Sequence, residues 1–225
     1  MQAGTREMKH TRQRSLIMLR SFATGFVAVT LLAWGPAAAA AEGDQVGQRF
    51  ASSFAHEAKG EIDEALNDML IILRGDAKHY VATLRSGWLY YIGGRYADSI
   101  AMYEAADKLA PSALEPRLGL MLPLMASERW AKAEVVGKEL AKLAPRDYTV
   151  RSRLAWIAFA QGRYKEAETL YQAVLADYPS DLEMMLGLAW TWLREGRKPE
   201  AKGMFQRVLS IRSDNVQART GLQSL

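Results

Sequence analysis

Residues able to act as acids, bases, nucleophiles or metal ligands are sparse in this 225-residue chain and do not cluster. The chain has no cysteine, and beyond the first 41 residues its only histidines are His56 and His79. No glycine-rich phosphate loop and no metal-ligand spacing accompanies them. Carboxylate pairs such as Asp63-Glu64 fall where helices are expected to begin, and there they favour the helix dipole. We therefore predict no catalytic residue, no metal site, no cofactor and no enzymatic activity.

A 34-residue period organises most of the chain. Pro111, Pro145 and Pro179 are spaced by this interval, which indicates stacked copies of one supersecondary unit. The predicted copies are 46–79, 80–113, 114–147, 148–181 and 182–215.

Three columns within this frame predict how each copy folds. The fifteenth place is glycine in four copies, which suits the left-handed end of a helix. The twentieth is always alanine or serine, small enough for two helices to cross, and the twenty-fourth is mostly large and apolar. Each copy should be helix, turn, helix, and residues 216–225 should form a helix that caps the last apolar face. The three columns are Gly60, Gly94, Glu128, Gly162 and Gly196; Ala65, Ser99, Ala133, Ala167 and Ala201; and Met69, Tyr103, Gly137, Tyr171 and Phe205.

The segments Gly94-Arg95-Tyr96-Ala97-Asp98-Ser99 and Gly162-Arg163-Tyr164-Lys165-Glu166-Ala167 resemble the tetratricopeptide repeat family. The resemblance implies an all-α fold, a right-handed α-solenoid of about five helix-turn-helix repeats with a C-terminal capping helix, over residues 42–225. The tryptophan that the family has at the fourth place is absent from every copy, and Ala77 replaces the proline of the first. His56 falls at a helix-seam place, as do Trp130 and Trp192, so we interpret all three as packing residues.

Residues 1–41 have a different character. Five basic residues precede an uncharged stretch, residues 22–34, which is followed by Gly35-Pro36 and a run of alanines. This pattern is typical of a secretory signal peptide, with an Ala-x-Ala site that predicts cleavage before Glu42. The alternative is an uncleaved anchor in the inner membrane, because residues 22–41 are about long enough to span a bilayer. Either way we expect the repeats in the periplasm.

Removing this leader changes the charge of the protein. Residues 1–41 carry five of the 29 Lys and Arg residues and one of the 25 Asp and Glu residues, which leaves 24 of each sign. The basic sequence pI of about 9.3 therefore reflects the leader, and it gives no reason to expect a nucleic-acid partner.

The family resemblance also implies which residues line a concave binding groove, namely certain places of each first helix. Here those places are strongly apolar and aromatic, with arginines interspersed. The Lys and Asn pattern with which some relatives clamp a terminal carboxylate is absent. The predicted groove residues are Phe50, Phe54, Leu84, Arg85, Trp88, Tyr91, Leu118, Leu122, Met125, Arg153, Trp156, Phe159, Leu186, Trp190, Leu193 and Arg194.

An apolar groove predicts an occupant, because soluble proteins rarely leave large apolar patches exposed. We favour a protein segment that lays apolar side chains into the groove while arginines meet its carboxylates, as part of an envelope assembly. Two alternatives remain open: a glycan of an exopolysaccharide secretion system, and self-association. Tight winding of the repeats could also bury some of these side chains.

Overall fold

The computed structural model describes residues 37–225, with side chains from Gln45 onward. Most of the predicted leader, residues 1–36, lies outside the described residues, so the leader and its cleavage site stay predictions. None of the described helices combines the length and the apolar character needed to cross a membrane.

Eleven α-helices and no strands make up the described part of the chain. Ten of them alternate as first and second helices of the five predicted copies, and the eleventh follows the fifth copy. The first helix is longer than predicted, because it begins nine residues before Val46. The helices are α1 Ala37–Lys59, α2 Ile62–Gly75, α3 Tyr80–Ile92, α4 Tyr96–Leu109, α5 Glu115–Ala126, α6 Trp130–Leu143, α7 Tyr148–Ala160, α8 Tyr164–Asp177, α9 Leu182–Arg194, α10 Lys198–Ile211 and α11 Val216–Gln223.

The turn inside each copy has a left-handed backbone at the fifteenth place, as the glycines there predicted. The four glycines there have φ between 74° and 80°. In the third copy Glu128 takes the same conformation with φ 59°, although a side chain is disfavoured there. The turn is therefore imposed by the repeat, and glycine is its least strained residue.

Side chains from the twentieth and twenty-fourth places fill the seams between helices. All five residues at the twentieth place are fully buried, and Ser99 donates a hydrogen bond of 2.6 Å to the Gly87 carbonyl of the facing helix. Tyr103, Tyr171 and Phe205 at the twenty-fourth place are also buried. The packing predicted for the twentieth and twenty-fourth places is confirmed.

In four of the five copies, the side chain of the last residue caps the helix that follows. The side chains of His79, Asp147, Asp181 and Asn215 each accept a hydrogen bond from the backbone N–H three residues later, at 2.8 to 3.2 Å. Such caps satisfy donors that the helix itself leaves unpaired. His79 therefore has a structural role at the start of α3.

The described chain forms two compact units. Unit 1, which ends at Glu128, contains α1 to α5, and unit 2, Arg129–Leu225, contains α6 to α11. The core of unit 1 is built around Met69, Ile72 and Leu89, and that of unit 2 includes Leu186, Phe205 and Val208. The division into five repeats within one continuous domain stays a prediction.

Candidate partner-binding faces

The predicted groove residues lie on the first helices of both units. We call the set in unit 1, on α1, α3 and α5, the unit 1 face, and the set in unit 2, on α7 and α9, the unit 2 face. Each first helix presents these residues because their spacing of three or four places keeps them on one side of the helix.

Packing closes part of each face. Leu84, Tyr91, Leu122 and Met125 of unit 1 are buried, and so is Leu186 of unit 2. The exposed or partly exposed residues are Phe50, Phe54, Trp88, Leu118, Trp156, Phe159, Trp190, Leu193 and Arg194. What stays open is therefore more aromatic than the predicted set as a whole.

Phe54 is the most exposed aromatic residue of the unit 1 face, with 51% of its surface accessible. Its ring covers the guanidinium of Arg85, whose Cζ lies 3.6 Å from the ring centroid. A cation over an aromatic face is attracted by the ring's quadrupole. Phe54 thus shields Arg85, which is only 4% exposed.

Arg85 is already bound to a carboxylate of the same chain. Its Nη2 lies 2.9 Å from Oε2 of Glu57, and its Nε donates to the hydroxyl of Ser53 at 2.9 Å. Burial lowers the pKa of Arg85 from its usual value, and the neighbouring Glu57 carboxylate partly offsets this effect. Arg85 was predicted to meet a partner's carboxylate, but Glu57 occupies that place.

Glu57 also accepts a hydrogen bond from Trp88. The indole Nε1 of Trp88 donates to Oε1 of Glu57 at 2.6 Å, and the other carboxylate oxygen forms the ion pair with Arg85. The Trp88 ring lies 5.7 Å from that of Tyr91, which in turn lies 6.1 Å from Tyr96. The Trp88 indole N–H therefore has an acceptor within the chain, and Arg85 has an ion-pair partner there.

In the unit 2 face, Trp156 stacks on Phe159 at 5.5 Å with an interplanar angle of 26°. Phe159 continues to Tyr164 at 5.7 Å. The indole Nε1 of Trp156 is buried and has no hydrogen-bond acceptor within the described part of the chain. A buried N–H without an acceptor is unfavourable, and here it belongs to a side chain whose ring is still partly exposed.

The rest of the unit 2 face divides between core and solvent. Trp190 packs edge-on against buried Phe205 at 5.3 Å, so it contributes to the core of unit 2. Arg194, at the end of α9, is exposed, and no carboxylate of the described residues pairs with it. Arg153 is buried, with 4% of its surface accessible.

The structure gives structural roles to both histidines beyond the leader. Nδ1 of His56 lies 2.7 Å from Oε2 of Glu61, across the turn between α1 and α2. No group of His, Asp and Glu side chains among the described residues is placed to hold a metal ion. A polar cleft between α1 and α2 lies outside the predicted groove residues, and it is lined by Arg49, Ser52, His56, Asp63, Glu64, Asn67 and Asp68.

Ser53 and Glu57 were missing from the predicted groove residues. A signal was present, because Glu57 is the only charged residue at the twelfth place of the five copies, where the others are tyrosine, methionine, phenylalanine and leucine. Its partners lie 28 and 31 residues along the chain. That pairing becomes apparent only when α1 and α3 are packed.

Comparisons with known proteins agree on the repeat. Family models described as tetratricopeptide repeat match residues 55–113, 124–181 and 158–225. No curated protein sequence matches this chain.

Solved structures share the fold at low sequence identity. The chain is similar to YrrB, described as a tetratricopeptide repeat protein with an unusual peptide-binding site, with 18% identity, a TM-score of 0.65, and 83% of this chain and 96% of that chain covered. MamA from Desulfovibrio magneticus RS-1 aligns at 17% identity and a TM-score of 0.69 over 76% of this chain and 98% of that one. A tetratricopeptide repeat protein from Parabacteroides merdae aligns at 16% identity and a TM-score of 0.64, over 97% of this chain and 80% of that one. These likenesses confirm the predicted solenoid fold class.

Proposed function

This chain belongs to the tetratricopeptide repeat family, and we propose that it is a non-catalytic scaffold that binds a protein segment on its first-helix faces. The observation that carries the proposal is the exposure of aromatic side chains there: Phe54 is half exposed, and Trp88, Trp156 and Phe159 are partly exposed. Aromatic residues supply much of the binding energy at protein interfaces. Peptide binding by YrrB, a protein of the same fold, supports this reading.

A protein segment suits these faces better than a sugar. Leu118 and Leu193 remain partly open beside the aromatic rings, and aliphatic side chains favour an apolar partner over the polar edges of a glycan. An apolar segment would gain free energy by covering these side chains, because burial of apolar surface is favourable at about 25 cal/mol per Å².

The proposed site of action is the periplasm, within an assembly of the cell envelope. The leader-like sequence of residues 1–41 supports export. N-terminal sequencing of the protein recovered from a periplasmic extract tests this step. A first residue of Glu42 is the expected result, and a protein found only in the membrane fraction with Met1 intact would favour the anchored alternative.

Affinity capture from an envelope extract tests partner binding. The bait is the chain with Phe54→Gln and Trp156→Gln, compared with the unaltered chain. Trp190 is left intact because it packs on Phe205, and its removal would damage the core. We expect one or more envelope proteins to be captured by the unaltered chain and lost from the altered one.

A matched control removes exposed apolar surface elsewhere. Val135 and Leu143, on second helix α6, are 58% and 59% exposed. The Val135→Gln, Leu143→Gln chain should capture the same proteins as the unaltered chain, and circular dichroism should give equal helical content for all three. An identical protein profile from both altered chains would contradict the proposal and would shift attention to a glycan or to self-association.

A further inference from the structure

The polar cleft between α1 and α2 of unit 1 contains a buried carboxylate. Asp68 of α2 lines this cleft, and only 5% of its side chain is accessible. Its Oδ1 accepts a hydrogen bond from Nη1 of Arg49 at 2.9 Å, whereas its Oδ2 is buried and has no donor within the described part of the chain. A buried charged oxygen is unfavourable unless it is hydrogen-bonded. The cleft therefore holds an acceptor that one further donor would satisfy.

The repeat itself does not require this carboxylate. Asp68 occupies the twenty-third place of its copy, and that place is apolar in each of the other four copies. The residues there are Met102, Val136, Leu170 and Met204. An exposed charge at this place would improve solubility, but a buried one adds little to it. The carboxylate is therefore a feature of the first copy that neither the repeat pattern nor solubility explains.

Arg49 shows which cation this carboxylate accepts. Its guanidinium donates one N–H to one oxygen of Asp68, although a guanidinium can bind both oxygens of a carboxylate at once. The Arg49 side chain is 47% exposed, and an ion pair with so open a partner contributes little to stability. Arg49 can therefore turn toward solvent and leave both oxygens of Asp68 to another guanidinium.

The charge of the polar cleft favours a second cation. Three carboxylates line it, those of Asp63, Glu64 and Asp68, against the single guanidinium of Arg49. The remaining ionisable group, His56, pairs with a carboxylate of the adjoining turn. Asp63 and Glu64 are exposed, so a cation in solution can reach them. The cleft has a volume of about 420 Å³, which is enough for a long side chain.

We propose that the polar cleft binds the guanidinium of an arginine side chain on a protein partner. Asp68 is the buried acceptor, and the exposed carboxylates of Asp63 and Glu64 add attraction at the opening. None of the residues that line the cleft belongs to the unit 1 face. The chain thus has a second contact surface, acidic where the first-helix faces are apolar, and its binding does not depend on theirs.

The probe for this site is a blocked pentapeptide with one arginine between two pairs of glycines, titrated into the full chain labelled with ¹⁵N. Asn67 also lines the cleft, so its side-chain NH₂ signals should shift and saturate with a Kd on the order of 1 mM. The Asn67→Ser variant assigns these signals. A peptide with citrulline in place of arginine keeps the shape and loses the charge, so it should bind about tenfold more weakly.

Variants of the chain test the role of each group. Asp68→Asn removes the charge of the buried acceptor and keeps its size, so the affinity for the arginine peptide should fall about tenfold. Asp63→Asn should weaken binding about twofold, as expected for an exposed carboxylate. Arg49→Gln removes the internal competitor for Asp68, so the affinity should rise about threefold. The matched control is Asp98→Asn, which neutralises an exposed carboxylate of α4 and should leave the affinity unchanged.

Four results would overturn the guanidinium site: equal affinity for the arginine and citrulline peptides, equal binding by Asp68→Asn and the unaltered chain, no gain from Arg49→Gln, or no shift at Asn67 at about 10 mM peptide. A gain in affinity cannot come from a damaged fold, so Arg49→Gln decides the matter even if Asp68→Asn unfolds the chain. The capture experiment is independent of these results, because Phe54 and Trp156, which are altered there, do not line the cleft.

Discussion

Units 1 and 2 carry the same Arg-x-x-Trp pattern on a first helix, and they differ in whether the indole N–H of the tryptophan has a hydrogen-bond acceptor. In unit 1 the pair is bound to Glu57 from α1, and the half-exposed ring of Phe54 covers the arginine. In unit 2 the indole N–H of Trp156 is buried without an acceptor among the described residues. The two indole N–H groups therefore differ in whether the chain supplies an acceptor, and in unit 1 that acceptor, Glu57, lies outside the pattern.

Removing the internal carboxylate of unit 1 should have the largest effect. Glu57→Met, which places in unit 1 the residue found at this register before α7, leaves Arg85 buried without its ion-pair partner. Breaking a buried pair from one side costs about 3 kcal/mol, and urea unfolding followed by circular dichroism measures the loss. The double variant Glu57→Met, Arg85→Met should recover most of it, because replacing both charges by apolar groups is often neutral. A double variant as unstable as the single one would show that the ion pair is not the cause.

Two glycines of unit 2 should respond in opposite directions to the same change. A Cβ at Gly187 would lie 2.4 Å from the buried ring of Tyr171, whereas one at Gly203 meets no atom within 4 Å. Gly187→Ala should therefore lower the free energy of unfolding by about 2 kcal/mol through overpacking. Gly203→Ala, in an exposed helix interior, should raise it by about 0.5 to 1 kcal/mol. Thermal melting of both variants checks the pair, and equal effects would contradict this account of the seam.

The acid sensitivity of unit 2 should depend on Glu168. A hydrogen bond from Trp192 at 2.6 Å and one from Arg197 at 2.7 Å lower the pKa of Glu168 below its usual value of 4.5. The stabilisation is therefore present above about pH 4.5 and is lost as the pH falls through the lowered folded-state pKa. Between pH 7 and pH 3 the unaltered chain should lose about 1 kcal/mol more than Glu168→Gln does.

The control for this acid effect is Glu183→Gln. Burial raises the pKa of Glu183. In contrast to Glu168, its ionised form therefore destabilises the fold above its unfolded-state pKa. The free energy of unfolding that is lost between pH 7 and pH 3 should therefore be at least as large in Glu183→Gln as in the unaltered chain. Urea unfolding at several pH values would contradict both assignments if Glu168→Gln and Glu183→Gln gave the same profile.

Helix caps should give the smallest difference between the units. Asp147 caps α7 in unit 2 at 2.8 Å, and His79 caps α3 in unit 1 at 3.2 Å. Asp147→Ala should cost about 1 kcal/mol, and His79→Ala about half as much, because the hydrogen bond that it loses is longer and its acceptor is a ring nitrogen. Chemical unfolding of both variants measures the difference, and a larger loss from His79→Ala would reverse the expected order.

Much of the fold follows from local sequence features. The left-handed turns were predicted from glycine, and the seam residues from a 34-residue period, because both depend on contacts within one copy. Even Glu128 takes the left-handed conformation because of its place in the repeat, although that conformation is disfavoured for glutamate.

The open part of each face was harder to predict. Leu84, Tyr91 and Met125 occupy places that were expected to line a groove, yet they are buried, because burial depends on how neighbouring first helices pack. Arg85 was expected to meet a partner, and the pairing with Glu57 could not be derived from either residue alone. The seam interpretation of His56 was likewise incomplete, because its ring pairs with Glu61 at the turn.

The caps at the ends of the copies determine where this chain can be cut and rejoined. A break between Asp147 and Tyr148 respects the 34-residue frame but separates α7 from the side chain that begins it. A break one residue earlier keeps α7 together with its capping side chain, and the same holds for the helices that begin after Asp181 and Asn215. Gene duplications, deletions and engineered repeat swaps should therefore be tolerated best when their junction precedes the capping residue.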